Sequence, residues 1–432
     1  MNVAHNRASL ITYLDQAVGL DNDAPVVISK FIRNAKEIEY DAVALEGTIL
    51  NYAISEHVEN AGVHSGDATL VLPAQKIYIE TMKRVKKSAA LIAKVLNITG
   101  PFNIQFMSRN NDIMVIECNL RASRSFPFVS KTFNVNFISL ATKAMIGVPV
   151  HKAEIRLLDV DYVCVKVPMF SFTRLQGADP VLRVEMASTG EVAAFGDSVH
   201  SAYLSALLSS NFKLPPKGGN IVLSAGPIES KVDFLRSAEV LVKLGYKLYA
   251  TKQSFQFYTQ QGIPMHPLCK ASEKAAFEGP EYEGKRPMEI VDFIRSGQAS
   301  LVINIPNSDE VVELTDGYRI RRAAVDFDVP LITNIKCAIL FTEALEKMEL
   351  ERMALAEGKL DLTGSFAHKP GSVLIKSSKP GSTVVPTPRT SAEMDAAAEA
   401  EAVPHPTPSF PIHPAAFKPW ETFMRDSAMT RL

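Results

Sequence analysis

The chain has 432 residues, which is enough for two or three domains. Lys and Arg total 46 and Asp and Glu total 47, so the near-neutral charge gives no reason to expect nucleic acid or an anionic membrane as a partner. No apolar run approaches the roughly 20 residues of a membrane span, and residues 1–20 lack the pattern of a signal peptide. The four cysteines form no CxxC pair, which argues against a zinc site and predicts a reducing, cytoplasmic location.

Residues 1–212 mix strand and helix patterns. Residues 37–43 alternate acidic and apolar side chains, which predicts a strand with one face in water. Residues 78–96 repeat apolar positions every three or four residues, which predicts a helix. Two further strands, 102–108 and 113–118, are predicted on either side of a turn at 109–112.

This predicted hairpin gathers polar side chains on one face. Gln105 and Glu117 are equidistant from Asn111, so a turn centred there pairs them. Strand alternation gives a polar face of Asn103, Gln105, Met107, Val115, Glu117 and Asn119. It gives a core face of Phe102, Ile104, Phe106, Met114, Ile116 and Cys118. Carboxylate and amide oxygens suit Mg²⁺, and Arg121 and Arg124 suit phosphates, but the pattern alone also fits the solvated face of an ordinary hairpin.

Two other clusters are compatible with nucleotide binding. Residues 62–67 (Gly-Val-His-Ser-Gly-Asp) combine glycines, which let a ligand approach the backbone, with hydrogen-bonding side chains. A surface turn is the alternative interpretation. Among Glu37, Glu39 and Asp41, one carboxylate could bind ribose hydroxyls, and a solvated strand face is the alternative there.

A turn-rich break at residues 213–219 precedes an alternating pattern. Strands are predicted at 221–225, 247–250, 265–268, 301–305 and 331–333. Helices are predicted at 229–244, 253–261, 288–296, 321–326 and 338–348. Alternation of this kind is typical of a parallel, doubly wound, Rossmann-like sheet, so the fold class is α/β. Ten of the 26 prolines lie after residue 360, which predicts a disordered tail or linker over 348–432.

Three longer runs carry a family resemblance. They are Ser-Glu-His-Val-Glu-Asn-Ala-Gly-Val-His-Ser-Gly-Asp (55–67), Gly-Pro-Phe-Asn-Ile-Gln (100–105) and Val-Ile-Glu-Cys-Asn-Leu-Arg-Ala-Ser-Arg-Ser-Phe-Pro-Phe-Val-Ser-Lys (115–131). They resemble the second ATP-grasp domain of the carbamoyl-phosphate synthetase large subunit. The resemblance continues through Met-Ala-Ser-Thr-Gly-Glu-Val (186–192) and covers about residues 8–347. Because these signatures are long, they favour the ligand-binding interpretation of both the hairpin and the 62–67 turn.

The resemblance implies an ATP-dependent ligase that phosphorylates carbamate to give carbamoyl phosphate. It implies that Mg²⁺ or Mn²⁺ binds to Gln105, Glu117 and Asn119. It implies that the ATP-binding site is lined by Ile32, Glu37, Gly62, Val63, His64, Ser65, Gln105 and Glu117. Arg121 would stabilise the transferring phosphoryl group.

The second region resembles the methylglyoxal-synthase-like regulatory domain of the same family, through residues 246–251, 301–305 and 317–322. Ligands of open α/β sheets bind beyond the carboxyl ends of the strands. The effector-binding residues expected there are Thr251, Ser254, Lys285, Asn304 and Asn307. The implied effectors are UTP, phosphoribosyl pyrophosphate or N-acetylglutamate. The domain lacks the Trp of the acetylglutamate type, which favours the multifunctional pyrimidine enzyme over the urea-cycle enzyme.

The expected organisation has four segments: the end of an ATP-grasp domain (1–150), a connecting segment (151–218), the effector-binding domain (219–347) and the tail (348–432). The family's ATP site also needs a glycine-rich loop from an earlier part of the domain, and no such loop precedes Val26. We therefore expect an incomplete site that needs the remaining synthetase and glutaminase domains. The alternatives are another ATP-grasp ligase and a non-catalytic module that senses an effector.

Overall fold

The computed structural model describes residues 3–4, 6–20, 25–152, 160–273, 287–306 and 311–357. Side chains are described within these ranges except at positions 18, 20 and 311–315. Two of the expected effector-binding residues, Lys285 and Asn307, lie outside the described residues.

The first region is built on a seven-stranded sheet in the order β5-β4-β1-β2-β3-β6-β7, with antiparallel neighbours. Its strands are β1 (Lys36–Leu45), β2 (Thr48–Asn60), β3 (Leu70–Leu72), β4 (Gly100–Arg109), β5 (Asp112–Asn119), β6 (Val163–Met169) and β7 (Gly190–Gly196). Its helices are α1 (Arg7–Leu20), α2 (Ile79–Val95), α3 (Phe126–Phe133), α4 (Phe137–Met145) and α5 (Val199–Ser209). The predicted helix at 78–96 and the predicted hairpin strands are confirmed.

Helix α2 packs on one face of this sheet. Ile38 and Tyr40 of β1 and Phe102 of β4 share a buried apolar cluster with Val85 and Ala89 of α2. The intervening residues of β1 therefore point to the opposite face. That face is also buried, since Glu37, Glu39 and Asp41 are 4%, 2% and 1% exposed. The predicted water-facing side of this strand is wrong, because other segments of the chain cover it.

The second region is the predicted parallel sheet, in the order β10-β9-β8-β11-β12. Its strands are β8 (Asn220–Ala225), β9 (Lys247–Thr251), β10 (His266–Leu268), β11 (Ala299–Ile305) and β12 (Leu331–Ile332). Its helices are α6 (Ile228–Asp233), α7 (Leu235–Lys243), α8 (Lys252–Gln260), α9 (Ile290–Arg295), α10 (Val311–Asp326) and α11 (Ile335–Ala356), with a short 3₁₀ helix at Ala271–Glu273.

Helices cover both faces of this parallel sheet, as a doubly wound fold requires. Leu223 of β8 packs in a cluster with residues of α7, α8 and α11. Val222, its neighbour on the same strand, packs with residues of α9 and α10. Some helices of this region differ from the prediction. The predicted helix at 229–244 is broken at Phe234, and α10 begins ten residues before the predicted 321.

One hydrophobic core joins the two regions. Val165 of β6 and Tyr203 of α5 belong to the same buried cluster as Leu223, Ile303 and Phe341 of the second region. Cys337 of α11 also donates a hydrogen bond to Glu59 of β2 at 3.0 Å. Helix α11 continues to Ala356, past the predicted start of the tail at 348. Within the described part of the chain, no helix is long and apolar enough to cross a membrane.

Candidate functional site

The β4–β5 hairpin brings the predicted metal ligands together. Gln105 lies opposite Glu117, and Asn103 lies opposite Asn119. Residues that face each other across antiparallel strands share a side of the sheet. Gln105, Glu117 and Asn119 therefore lie side by side on one face. The amide nitrogen of Asn119 donates to Oε1 of Glu117 at 2.8 Å.

A β-bulge, which the sequence analysis did not anticipate, sets this register. Arg109 pairs with Asp112, so the predicted turn at 109–112 is centred between Asn110 and Asn111 rather than on Asn111. An extra residue between the Phe106–Val115 and Gln105–Glu117 pairs then restores the predicted partner of Gln105. Between the bulge and the turn, the β5 residues lie on the face opposite to the one predicted for them. Met114 pairs with Met107, and Val115 pairs with the core residue Phe106.

The 62–67 turn lies against the hairpin. Nε2 of Gln105 donates to Oγ of Ser65 at 2.8 Å. The turn is braced internally, because the amide of Gly66 donates to Nδ1 of His64 at 3.0 Å. Gly62 has a φ of +116°, and a Cβ there would lie 3.1 Å from the ring of Phe31, so the position requires glycine. The predicted residues Gly62, Val63, His64 and Ser65 thus lie beside Gln105.

The buried acidic face of β1 continues the site. Nε2 of His57 lies 3.1 Å from Oε1 of Glu39, and its Nδ1 lies 3.8 Å from Oε2 of Glu37. Burial raises the pKa of Glu37 to about 7, although the nearby His57 opposes that shift. Burial alone would lower the pKa of His57, but the hydrogen bond to Glu39 and the charge of Glu37 leave it raised. Ligand atoms of these three residues lie within 4.8 Å of one another, which is close enough to share a cation.

Asp41 anchors the segment that carries Arg121. Its carboxylate accepts hydrogen bonds from Asn103, Ser123 and Ser125 at 2.9, 2.6 and 2.8 Å. Burial raises the pKa of Asp41 to about 6, and these hydrogen bonds oppose the shift. The exposed guanidinium of Arg121 donates to the carbonyl of Ala122 at 3.2 Å. The chain beyond β5 is therefore fixed while the Arg121 side chain faces solvent.

Lys166 is a site residue that the sequence analysis missed. Its side chain is 1% exposed. Nζ donates to the carbonyl oxygen of Ser65 at 3.1 Å and lies 3.8 Å from a carboxylate oxygen of Glu191. Burial lowers the pKa of Lys166, and the charge of Glu191 opposes that shift. A lysine within a strand pattern gave no sequence signal, since lysines usually lie at the surface.

A groove of about 590 Å³ lies beside the hairpin turn. It is lined by Lys30, Phe31, Ile32, Arg33, Arg109, Asn110, Asp112 and Met114. Apolar Phe31, Ile32 and Met114 suit a flat aromatic ring, and the basic side chains around them suit an anion. The predicted ATP-lining residue Ile32 lies in this groove.

The oxygen atoms of the hairpin suit a divalent ion. Gln105 and Asn119 donate through their amide nitrogens to Ser65 and Glu117. Their amide oxygens and the Glu117 carboxylate form a set of hard oxygen donors, which is the set that Mg²⁺ and Mn²⁺ prefer.

The predicted effector-binding residues that the structure describes converge on the second sheet. Thr251 and Asn304 lie at the carboxyl ends of β9 and β11, on either side of β8. Ser254, in the first turn of α8, donates to the carbonyl of Ala225 at 3.4 Å. Nζ of Lys231 donates to the carbonyl of Gly226 at 2.9 Å, which adds a cation that the sequence analysis did not select.

Two stretches of the chain match known protein families. Residues 1–153 match the ATP-binding domain of the carbamoyl-phosphate synthase L chain. Residues 233–333 match the MGS-like domain.

The chain is also similar to long multidomain proteins. It is 51% identical to the multifunctional protein pyr1-3 of Dictyostelium discoideum, over 81% of this chain and 15% of that protein. It is 49% identical to the multifunctional protein URA2 of Saccharomyces cerevisiae, over 80% of this chain and 16% of that protein. It is 46% identical to the mitochondrial carbamoyl-phosphate synthase (ammonia) of Homo sapiens, over 80% of this chain and 23% of that protein. The chain thus spans less than a quarter of each relative's length.

Similar solved structures include the ADP complex of N5-carboxyaminoimidazole ribonucleotide synthetase, with a TM-score of 0.36 and 14% identity, over 48% of this chain and 56% of that chain. A biotin carboxylase complex from Campylobacter jejuni has a TM-score of 0.37 and 15% identity, over 46% of this chain and 51% of that chain. The family assignment rests on the sequence matches. Residues 1–153 belong to the carbamoyl-phosphate synthase L chain ATP-binding family, and residues 233–333 belong to the MGS-like domain family.

Proposed function

We propose that the chain is part of a carbamoyl-phosphate synthase in which the first region binds ATP and a divalent ion for the phosphorylation of carbamate. The observation that carries this proposal is the pairing of Gln105 with Glu117 on the same face as Asn119, with Ser65 of the 62–67 turn bonded to Gln105. Side chains from separate parts of the sequence thereby lie next to one another, which supports the proposal. The family that matches residues 1–153 is described as an ATP-binding domain.

Each part of the nucleotide has a counterpart in this arrangement. The groove at Phe31 and Ile32 would take the adenine, and Glu37 the ribose. The 62–67 turn would face the phosphates, held in place by Gln105 and by Lys166 beneath it. Gln105, Glu117 and Asn119 would hold Mg²⁺ or Mn²⁺. When bound, such an ion supplies charge neutralisation at the transferring phosphoryl group. Arg121 would add a second positive charge there.

The second region would regulate this reaction by binding an effector at Thr251, Ser254 and Asn304, beside Lys231. Lys285 and Asn307 remain predicted members of that site. A cation with hydroxyl and amide groups at the edge of a parallel sheet suits a phosphorylated or carboxylated metabolite. UTP, phosphoribosyl pyrophosphate and N-acetylglutamate are the candidates.

Pyrimidine synthesis is the better supported pathway. The chain is 51% identical to pyr1-3 and 46% identical to the human ammonia-type synthase. We also propose a cytoplasmic location, since the free cysteines suit a reducing compartment. Because the chain spans 15% of pyr1-3, turnover would require the remaining synthetase and glutaminase domains.

A second candidate function is effector sensing without catalysis. It is favoured by the effector site, which lies in one region of the chain, whereas the ATP site would draw on further domains. The two candidates make different predictions about ligand binding by the chain itself.

Thermal unfolding with each ligand separates the candidates. A ligand present at 100 times its Kd and bound only to the folded state adds about 2.7 kcal/mol of stability. We expect ATP with Mg²⁺ and one of the three effectors each to raise the Tm. Glu117→Ala should abolish the ATP response alone, and Ser254→Ala should weaken the effector response alone. An effector response without an ATP response would favour sensing, and no response to either would contradict both.

Activity provides the second test. In a complete synthase, Glu117→Ala should reduce carbamoyl-phosphate formation by more than about 100-fold while leaving effector binding unchanged. Normal synthesis by this variant would refute the assignment of Glu117 as a metal ligand.

A further inference from the structure

Three residues of helix α10 hold the loop that connects β6 to β7, residues 170–189. Oη of Tyr318 donates to the carbonyl of Gly177 at 2.9 Å. Nη1 of Arg322 donates to three carbonyls of the loop, those of Phe172, Leu175 and Ala178, at 3.1–3.2 Å. Arg321 donates to both carboxylate oxygens of Asp179 at 2.7 Å. This connecting loop is therefore fastened to the second region by side-chain hydrogen bonds.

Arg321 is the central member of this attachment. Its side chain is 1% exposed, and that of Asp179 is 27% exposed. A bidentate pair of this kind fixes orientation as well as distance, and removing the Asp179 charge leaves a buried guanidinium that is difficult to solvate. The remaining nitrogen, Nη1, donates to Oδ1 of Asn304 at 2.8 Å. One guanidinium thus bridges the proposed effector site and the connecting loop.

The far end of the connecting loop holds the 62–67 turn. The amide of His64 donates to the carbonyl of Arg183 at 2.8 Å. The amides of Ala187 and Ser188 each donate to a different carboxylate oxygen of Asp67 at 2.8 Å. The hydroxyl of Ser188 donates to the carbonyl of Gly66 at 3.1 Å. The turn therefore depends on where this end of the loop lies.

We propose that Arg321 couples the state of Asn304 to the conformation of the 62–67 turn, through Asp179 and the connecting loop. The regulatory meaning of this coupling rests on the proposed function. Nδ2 of Asn304 lies 3.5 Å from the carbonyl of Ser224, which is a long hydrogen bond. An anionic effector that accepts a hydrogen bond from Nδ2 of Asn304 reorients this side chain. The reorientation moves Oδ1, the acceptor of the hydrogen bond from Arg321. The bidentate pair passes that change to Asp179.

Amide hydrogen exchange of the full chain tests the coupling without any ligand. The peptides to follow cover residues 60–69 and 183–190, where the connecting loop meets the turn. Asp179→Asn keeps the shape of the side chain and removes its charge, and we expect exchange in both peptides to rise about tenfold. Asp328→Asn is the matched control, because Asp328 forms an exposed pair with Lys213 elsewhere on the second region. Unchanged exchange in the Asp179→Asn protein would overturn the proposal.

The effector end is tested by a second matched pair. Asn304→Ala removes the acceptor of Arg321, so it should raise exchange in the same two peptides. Ser254→Ala changes the same sheet edge without touching Arg321 and should leave them unchanged. The combined Asn304→Ala and Asp179→Asn variant should show less than the sum of the single effects, because both act through one guanidinium. Additive effects, or equal effects of Ser254→Ala, would overturn the proposal.

Separate controls distinguish loss of coupling from unfolding of a variant and from failure of the proposed function. Peptides from β8 and β11 should keep their protection in each variant. If a charge variant unfolds, Tyr318→Phe serves in its place, because it removes only the hydroxyl that donates to Gly177; it should raise exchange in the connecting loop. If hydrogen exchange in the connecting loop is also unchanged in the Tyr318→Phe protein, the proposal is overturned. ATP binding does not enter these measurements, so a failure of the proposed function appears in the Tm test and a failure of the coupling appears here.

Discussion

Glu37 links the folding of the chain to proton binding. Burial raises its pKa from 4.5 to about 7 in the folded state. The folded chain therefore binds this proton more tightly than the unfolded chain does. The stability that the proton provides is complete below pH 4.5 and is lost as the pH rises through 7. Asp41, whose pKa burial raises to about 6, acts in the same direction.

Replacing Glu37 with Gln should flatten this pH dependence. The shift means that the parent chain loses about 3 kcal/mol of unfolding free energy between pH 4.5 and 8. The Glu37→Gln variant should not show this loss, because glutamine does not titrate. Urea unfolding at several pH values measures the difference. Glu46→Gln, in the exposed turn after β1, is the control and should follow the parent chain. A Glu37→Gln curve parallel to that of the parent would contradict the assignment.

The misreading of Glu37 shows what a residue pattern can establish. Alternation predicted correctly that Glu37, Glu39 and Asp41 share one face of β1. It could not predict burial, because the covering groups come from later segments of the chain, such as Gly62 beside Glu37 and Ser123 and Ser125 on Asp41. Gln105 and Glu117 are the converse case. Their pairing was predicted correctly, but the structure reaches it through a two-residue turn and a bulge that alternation does not reveal.

At the level of elements, the β4–β5 turn controls the register of the site. Asn110 and Asn111 have φ values of +52° and +66°, as a two-residue hairpin turn requires. Asn111 is also tied to α2, since its Oδ1 accepts a hydrogen bond from Thr81 at 2.7 Å. Asn110 is therefore the simpler position for testing the backbone requirement.

Asn110→Ala should lower the free energy of unfolding by about 1–2 kcal/mol, because alanine is strained in the left-handed region and lacks the short polar side chain that lets asparagine adopt it. Asn110→Gly has no such strain and should leave stability nearly unchanged. Chemical denaturation of the two variants gives the comparison. Equal stabilities would mean that the turn does not hold this conformation in solution.

Helix α10 is longer than its sequence predicted, and Gly317 is the reason. Glycine disfavours helix by about 1 kcal/mol relative to alanine, so the segment before Arg321 did not register as helical. In the structure the position is restricted, because a Cβ on Gly317 would lie 2.9 Å from Nη1 of Arg321. The glycine thus makes room for the guanidinium that reaches Asn304 and Asp179.

Gly317→Ala should therefore fail to stabilise the chain, despite the better helix propensity of alanine. In an Arg321→Met background the obstructing guanidinium is gone, and the same substitution should stabilise by up to about 1 kcal/mol. The Tm values of the parent chain, the two single variants and the double variant form a double-mutant cycle that measures this difference. An equal gain in both backgrounds would show that Gly317 is not needed for the packing of Arg321.

At the level of the whole molecule, local and long-range order differ in how well they could be predicted. The parallel sheet was predicted almost strand for strand, since its strands are short apolar runs bounded by turn and helix patterns. The strand order of the first sheet was not predicted. There, β3 pairs with β6 across about ninety residues of sequence, and no local pattern encodes such a pairing.

The shared core predicts that both sheets unfold together. Phe341 of α11 is fully buried and meets Phe212 edge-on at 5.6 Å. Phe341→Ala should lower stability by about 3–5 kcal/mol, and protection should fall in peptides of both sheets. Phe327→Ala is the control, because Phe327 is 44% exposed. Loss of protection confined to the second sheet would mean that the regions unfold independently.

This continuity of packing limits how the second region can be exchanged between related chains. A graft cut at the turn-rich break near residue 213 would leave Val165 and Tyr203 facing side chains shaped for another protein. A chimaera that carries β6 and α5 along with the second sheet would keep those surfaces matched. A transplantable unit that contains the second sheet thus begins well before β8, the first strand of that sheet.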